Sequence, residues 1–167
     1  MQTKPFLLFT LSSLAQARFG QEGAVQSIIQ ALGAFGPPGA AGTLAGQTPS
    51  VLLAGASACA KLELADEIVA TLGDDDAVIA GAKALVAAEK NFNPFAVSIP
   101  TICSNADLPV TAALRGIVPL VDPDVEGADV QNANSAASVQ TPFAADGGLS
   151  VADITRLQGF ENFDEQA

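Results

Sequence analysis

The spacing of hydrophobic residues predicts helices in the first half of the chain. Between Glu22 and Phe35 the apolar side chains recur with the period of an amphipathic helix, at Val25, Ile28, Ile29, Leu32 and Phe35. The same period returns across residues 58 to 90, where Gly73 divides two helical stretches. The pattern therefore predicts one helix followed by a helical hairpin.

Short polar and small residues indicate how the hairpin is built. Asp74 is the expected N-cap of the second helix, and Asp75 and Asp76 follow in its first turn, where negative charge is favourable. Gly81 and Ala84 keep the surface of this helix thin. We expect another helix to approach closely there.

Two segments lack helical periodicity and are predicted to be irregular. Residues 36–49 are so rich in glycine and proline that we interpret them as a linker or surface loop. Residues 122–148 show little periodicity of any kind and are predicted to be rich in loops.

The remaining C-terminal sequence predicts short elements. Alternation in "FAVSIPTIC" favours a brief extended segment, and "DLPVTAALRG" is typical of a short helix with Asp107 as its N-cap and Gly116 as its end. Ser150 and Asp153 form a capping-box pattern at the start of a final helix that Gly159 closes. The predicted fold is a mainly α, small helical domain with a helical hairpin, one disulfide and an irregular, loop-rich C-terminal half.

The first seventeen residues have the features of a signal peptide. Lys4 precedes a mostly apolar run from Phe6 to Leu14, and the small residues Ala15 and Ala17 follow it. That run is too short for a spanning helix, which needs roughly 20 residues. We therefore expect residues 1–17 to be removed and residues 18–167 to form one secreted domain without a membrane span.

Cysteine content and charge agree with an exported protein and limit its partners. Cys59 and Cys103 are the two cysteines, and in an exported chain such a pair predicts one disulfide. Eighteen acidic residues against seven basic ones give a net charge of −11. Nucleic acid and anionic lipid surfaces are therefore unsuitable partners.

The residue types that most hydrolases require are missing. The chain has no histidine, so a serine or cysteine nucleophile lacks its usual base. A serine with a lysine base is conceivable, for example Ser57 with Lys61, although such a spacing is common by chance, and a pair of carboxylates could still hydrolyse glycosides. We expect a non-catalytic protein without a cofactor, with a carboxylate-dependent glycosidase as an alternative.

An acidic stretch, "DPDVEGADV", resembles half of a calcium-binding loop. Asp122, Asp124, Glu126 and Gly127 match the first half of a helix-loop-helix calcium site, and Asp129 could add an oxygen. The closing glutamate of that motif is replaced by Ala133. These four acids are a candidate calcium site, and the competing interpretation is a solvated acidic turn.

Phenylalanines in polar surroundings provide the other candidate site. Phe143, Phe160 and Phe163 are either core residues or a binding patch for a partner. The helices, rich in Ala, Leu and Val, could also enclose a cavity for a small apolar ligand. Such a ligand would make the protein a carrier.

The layout as a whole resembles a known class. A signal peptide, acidic alanine-rich helices, one disulfide and the tail "GGLSVADITRLQGFENF" are similar to the small acidic secreted proteins of filamentous fungi. This resemblance implies an extracellular location, with cell-wall association among the options, and supplies no catalytic residues. We expect a structural or interaction role at the cell surface or in the medium, with an unknown protein or surface as partner.

Overall fold

The computed structural model describes residues 21–90 and 99–167. The predicted signal peptide, residues 1–17, lies outside the described residues, as do Phe95 and Val97 of the predicted extended segment. Within the described residues the elements are α1 (Gln21–Gln30), α2 (Ala40–Val51), α3 (Ala60–Leu72), α4 (Asp76–Ala87), β1 (Thr101–Cys103), a 3-10 turn (Ala112–Leu114), α5 (Ala128–Gln140), α6 (Val151–Leu157) and β2 (Asp164–Gln166). The prediction of a mainly α fold with one disulfide and an irregular C-terminal half is confirmed.

The first four helices enclose an apolar core. Helix α1 packs on α2 and α4, and α3 packs on α2 and α4. Side chains with no exposed surface, among them Ile29, Ile68 and Leu85, fill the space between them. Gly81 allows α1 to approach α4, because a Cβ there would lie 3.0 Å from Cδ1 of Leu32. The predicted hairpin and its close helix approach are confirmed.

The helix ends differ slightly from the predicted ones. The first helix ends at Gln30, and turns continue to residue 39. Gly73 follows α3 with a φ of 98°, as its predicted end requires. The N-cap of α4 is Asp75 and not Asp74, since the Asp75 carboxylate accepts a 2.9 Å hydrogen bond from the backbone N–H of Ala77. Either aspartate could cap a helix, so capping preference does not choose between them. The helix starts where Val78 and Ala82 fall on its buried face.

The prediction of a linker over residues 36–49 was wrong, because α2 occupies most of it. Its buried residues are Ala41, Leu44, Ala45 and Thr48, which lie on one helical face. Each of the helix's glycines costs about 1 kcal/mol relative to alanine, and burial of this face offsets that cost. Pro49 cannot donate to the carbonyl of Ala45, and the hydroxyl of Thr48 donates to it instead at 2.7 Å.

The prediction that residues 122–148 are rich in loops missed one helix, because α5 spans Ala128–Gln140. The buried residues of α5 are Ala128, Gln131, Ser135 and Ser138. Their spacing is helical, but three of the four are polar. A search for apolar periodicity therefore misses this helix.

A predicted short helix near Asp107 is reduced to the single turn Ala112–Leu114, and Asp107 does not cap it. The carboxylate of Asp66 on α3 accepts hydrogen bonds from the backbone N–H groups of Val110 (2.7 Å) and Thr111 (2.8 Å). Asp66, and not Asp107, therefore accepts hydrogen bonds from the backbone just before this turn. The Leu108–Pro109 peptide bond in this segment is cis.

The C-terminal residues return to the first half of the chain. Strand β2 pairs in parallel with β1, with Glu165 opposite Ile102. The disulfide Cys59–Cys103 joins β1 to the residue before α3. The side-chain oxygen of Gln166 accepts a 2.8 Å hydrogen bond from the backbone of Ala58. The predicted disulfide and the Ser150–Asp153 capping box of α6 are both confirmed.

Candidate functional site

Three buried charged residues meet at the C-terminal end of α4, and we call them the lysine cluster: Lys61, Glu89 and Lys90. Lys61 lies on α3, and its side chain reaches across to α4. Its Nζ donates to the carbonyl oxygens of Val86 at 2.8 Å and Ala88 at 2.6 Å. The lysine therefore binds the carbonyls that the end of an α-helix leaves without partners.

Lys90 connects the end of α4 with two other parts of the fold. Its Nζ donates to the carbonyl of Ala54, after α2, at 3.1 Å and to Oγ1 of Thr101, on β1, at 2.8 Å. Cys59 and Cys103 lie close in sequence to these two contacts. The lysine cluster and the disulfide thus tie together the same segments.

Burial sets the electrostatics of the cluster. The pKa of Lys61 is lowered from 10.5 to about 7, chiefly by removal from water and secondly by the charge of Lys90, while the charge of Glu89 opposes the change. Burial also lowers the pKa of Lys90. Glu89 has no exposed surface.

Ser57 and Lys61, the example of a conceivable serine–lysine pair, have other hydrogen-bond partners. Ser57 is exposed and precedes α3, and its hydroxyl oxygen accepts a bond from the backbone N–H of Cys59. The Nζ of Lys61 is directed toward α4 and is bound to backbone carbonyls. Lys61 therefore does not act as a base for Ser57 in this arrangement.

The four acids of the candidate calcium site play different structural parts. Asp122 is buried and accepts a 2.9 Å hydrogen bond from the backbone N–H of Asp124, which forms a local turn. Asp129 lies in the first turn of α5, and Glu126 is exposed. Across residues 21–90 and 99–167, no three His, Cys, Asp or Glu side chains gather at a distance suitable for one metal ion. Calcium binding by these acids stays a prediction.

The three phenylalanines do not form one exposed patch. Phe160 and Phe163 are buried, with ring centroids 5.9 Å apart and planes inclined by 17°. The guanidinium of Arg156 lies 4.9 Å from the ring centroid of Phe163. Phe143 is half-buried, and its backbone N–H donates to the carbonyl of Gly116 at 2.9 Å. Phe160 and Phe163 are therefore core residues, as the first of the two interpretations of these phenylalanines predicts, and they do not form an exposed binding patch.

Acidic side chains dominate the described surface. The exposed acids are Glu63, Glu67, Asp74, Asp75, Asp76, Asp107, Asp124, Glu126, Asp129, Asp146, Glu161, Asp164 and Glu165. The described basic residues are mostly turned inward. Arg115, for example, is half-buried and donates to the carbonyls of Ala106 (2.8 Å) and Pro109 (2.9 Å). Arg156 is exposed and forms an ion pair with Glu165.

A shallow groove of about 320 Å³ lies between α2 and α3, and it opens broadly to the surface. Its lining residues are Pro38, Gly39, Ala40, Thr43, Leu44, Gln47, Glu67 and Thr71. Leu44 supplies apolar surface at its base, and Glu67 supplies a negative charge. The groove is open to the surface, whereas a carrier of an apolar ligand was expected to enclose its ligand in a cavity.

Comparisons with protein families, with characterised proteins and with solved structures find no match for this chain. No helix in the described parts of the chain is long and apolar enough to cross a membrane.

Sequence reasoning missed the lysine cluster. Glu89 and Lys90 directly follow the apolar run "ALVAA", and Lys61 precedes Leu62 on the inner face of α3. A charged residue inside or beside a buried helical face is a signal that it needs an internal partner. The partners are backbone atoms of another element, however, so the sequence does not identify them.

Proposed function

We propose that the chain is a secreted, non-catalytic protein with a structural or interaction role at the cell surface or in the extracellular medium. The observation that carries this proposal is the division of charge. Lys61, Lys90 and Arg115 are used inside the fold to bind backbone carbonyls, while acids cover the surface. A basic side chain whose donors are bound to internal oxygen atoms is not free to act on a substrate. An acidic surface favours basic partners and repels nucleic acid.

Secretion is supported by the disulfide, since disulfides persist in oxidising compartments. Expression of the full chain in a secreting host tests this part directly. We expect a product in the medium whose N-terminal sequence begins at Arg18, and its free-thiol content should be zero. A bulky replacement at the predicted cleavage site, Ala17→Phe, should move or block cleavage. Retention of the unmodified wild-type chain inside the cell would contradict secretion.

The binding role is tested by thermal melts of the oxidised, secreted product, because a ligand that binds the folded state raises its melting temperature. The panel contains calcium, a chelator, fatty acids, sterols, oligosaccharides and a basic peptide. We expect a salt-sensitive rise with the basic peptide, reduced in a Glu63→Gln/Glu67→Gln variant. These two acids are exposed on α3, so their neutralisation should leave the fold intact.

Other results from the same panel would favour one of the alternative functions. A calcium shift that Asp124→Ala abolishes would establish a metal site in the acidic turn. A fatty-acid or sterol shift would favour the carrier, and turnover of a glycan would favour the carboxylate-dependent glycosidase. No binding of the basic peptide at low salt would contradict a role for the acidic surface.

A further inference from the structure

The contacts of Lys61 suit a neutral amine. Its Nζ is bound to two carbonyl oxygens, those of Val86 and Ala88, and a neutral amine has two N–H bonds to give. An ammonium group carries a third proton and a positive charge, and Glu89 is the nearby anion that would have to balance that charge. The side chain is 4% exposed, so water does not readily solvate the charge.

The charged residues beside Lys61 make its protonation state matter. Glu89 and Lys90, both at the C-terminal end of α4, are the two charged groups that act on it. Protonation of Lys61 while Lys90 is also charged places two buried cations near one another, with Glu89 as their shared counter-charge. Like charges in a region of low dielectric repel strongly.

We propose that Lys61 is a pH-dependent lock on the end of α4. Above neutral pH the neutral amine holds α3 against the carbonyls of Val86 and Ala88. In acid, protonation of this amine weakens the junction between α3, α4 and the segments that Lys90 binds.

The sign of the effect on stability follows from proton linkage. The pKa of Lys61 is about 7 in the folded chain and 10.5 in a solvated one, so between these values the unfolded chain binds more protons. Stability therefore rises with pH across this window and lacks the contribution below pH 7.

The structure also predicts where acid loosens the fold. The backbone N–H of Leu120 donates to the carbonyl of Ala87 at 2.9 Å, directly beside the carbonyls that Lys61 binds. Hydrogen exchange at the amides of Ala88 and Leu120, corrected for the intrinsic effect of pH, should reveal greater opening at pH 6 than at pH 9. Amides in the middle of α3 should change less.

Two substitutions separate the charge states. Lys61→Met is permanently neutral, and Lys61→Arg is permanently charged. We expect the wild-type melting temperature to rise by several degrees from pH 6.5 to pH 10, and both variants to lose most of that rise. The part due to Lys90 should remain. Lys83 lies on α4 and is partly exposed, so Lys83→Met is the matched control. Its melting temperature should rise with pH as in the wild type.

If the melting temperature of Lys61→Met rises with pH as much as that of the wild type, the proposal is overturned. Should either variant fail to fold, titration of the Lys61 Cε resonance by NMR in the unaltered protein gives the answer directly. A midpoint well below 10, the lowest among the lysines, supports the lock. A midpoint near 10.5 rejects it.

Discussion

The helical hairpin and α5 are both parts of the folded core, but different interactions hold them. The hairpin of α3 and α4 is joined by apolar side chains such as Ile68 and Leu85, which have no exposed surface. Helix α5 instead binds residues 117–121 through hydrogen bonds of its polar side chains. Gln131 donates to the carbonyl of Pro119 at 2.6 Å, and Ser138 accepts from the N–H of Val118 at 3.2 Å.

Asn132 shows how α5 replaces a neighbouring strand. Its side-chain oxygen accepts from the N–H of Val121 at 2.9 Å, and its side-chain nitrogen donates to the carbonyl of Val121 at 3.0 Å. A β-strand would make the same pair of bonds with its backbone. Residues 117–121 are mostly buried, so their backbone groups need partners, and polar side chains on α5 supply those of Val118, Pro119 and Val121.

The largest effect is expected from removal of an apolar side chain in the hairpin. Leu85→Ala should lower the free energy of unfolding by about 2 to 5 kcal/mol, because it leaves a cavity among tightly packed neighbours. Leu157→Ala is the control, since Leu157 is 67% exposed, and its cost should be close to zero. Denaturant unfolding measures both. Equal costs at the two positions would contradict the described hairpin core.

A smaller effect is expected from removal of the side-chain bonds of α5. Asn132→Ala should cost about 1 to 3 kcal/mol, because it deprives both backbone groups of Val121 of their partners. Asn132→Asp has nearly the same shape and still accepts from the N–H of Val121, but it cannot donate to the carbonyl. It should fall between alanine and the wild type at neutral pH. If Asn132→Ala is neutral in denaturant unfolding, α5 is not held as described.

The smallest effect concerns the capping box of α6, a polar feature that the sequence did predict. Ser150→Ala should cost about 1 kcal/mol. Hydrogen bonds from Ser150 lower the pKa of Asp153, so its contribution to stability is present above the ordinary aspartate pKa and disappears as pH falls through the lowered value. NMR titration should show the pKa of Asp153 moving back up in Ser150→Ala. An unchanged pKa would mean that the box does not form in solution.

These differences explain which elements could be predicted. The hairpin is recognisable because burial of apolar faces repeats with the helical period, and the capping box is recognisable because its partners lie three residues apart. Helix α2 was missed because its glycines and Pro49 suggest a loop, while alanines carry much of its buried face. Helix α5 was missed because Gln131, Ser135 and Ser138 form its buried face.

For the candidate sites too, the sequence indicated which residues are present but not which residues they contact. Sequence indicated acids in residues 122–130 and phenylalanines near the C-terminus, but not that Asp122 would be buried in a local turn or that Phe160 would be covered. Lys61 was noticed as a neighbour of Ser57, whereas its partners lie on α4. Contacts between residues distant in sequence depend on how the helices pack, which local patterns do not encode.

By itself, the sequence determined the class of fold, the hairpin, the pairing of Cys59 with Cys103 and the excess of acid, since each depends on composition or on local spacing. Tertiary structure alone decided where the charges act. It turned Lys61, Lys90 and Arg115 inward to bind carbonyls, left the surface acidic and used polar side chains of α5 in place of a strand. The physical reason is that buried backbone groups must be paired, and their partners are chosen by packing in three dimensions.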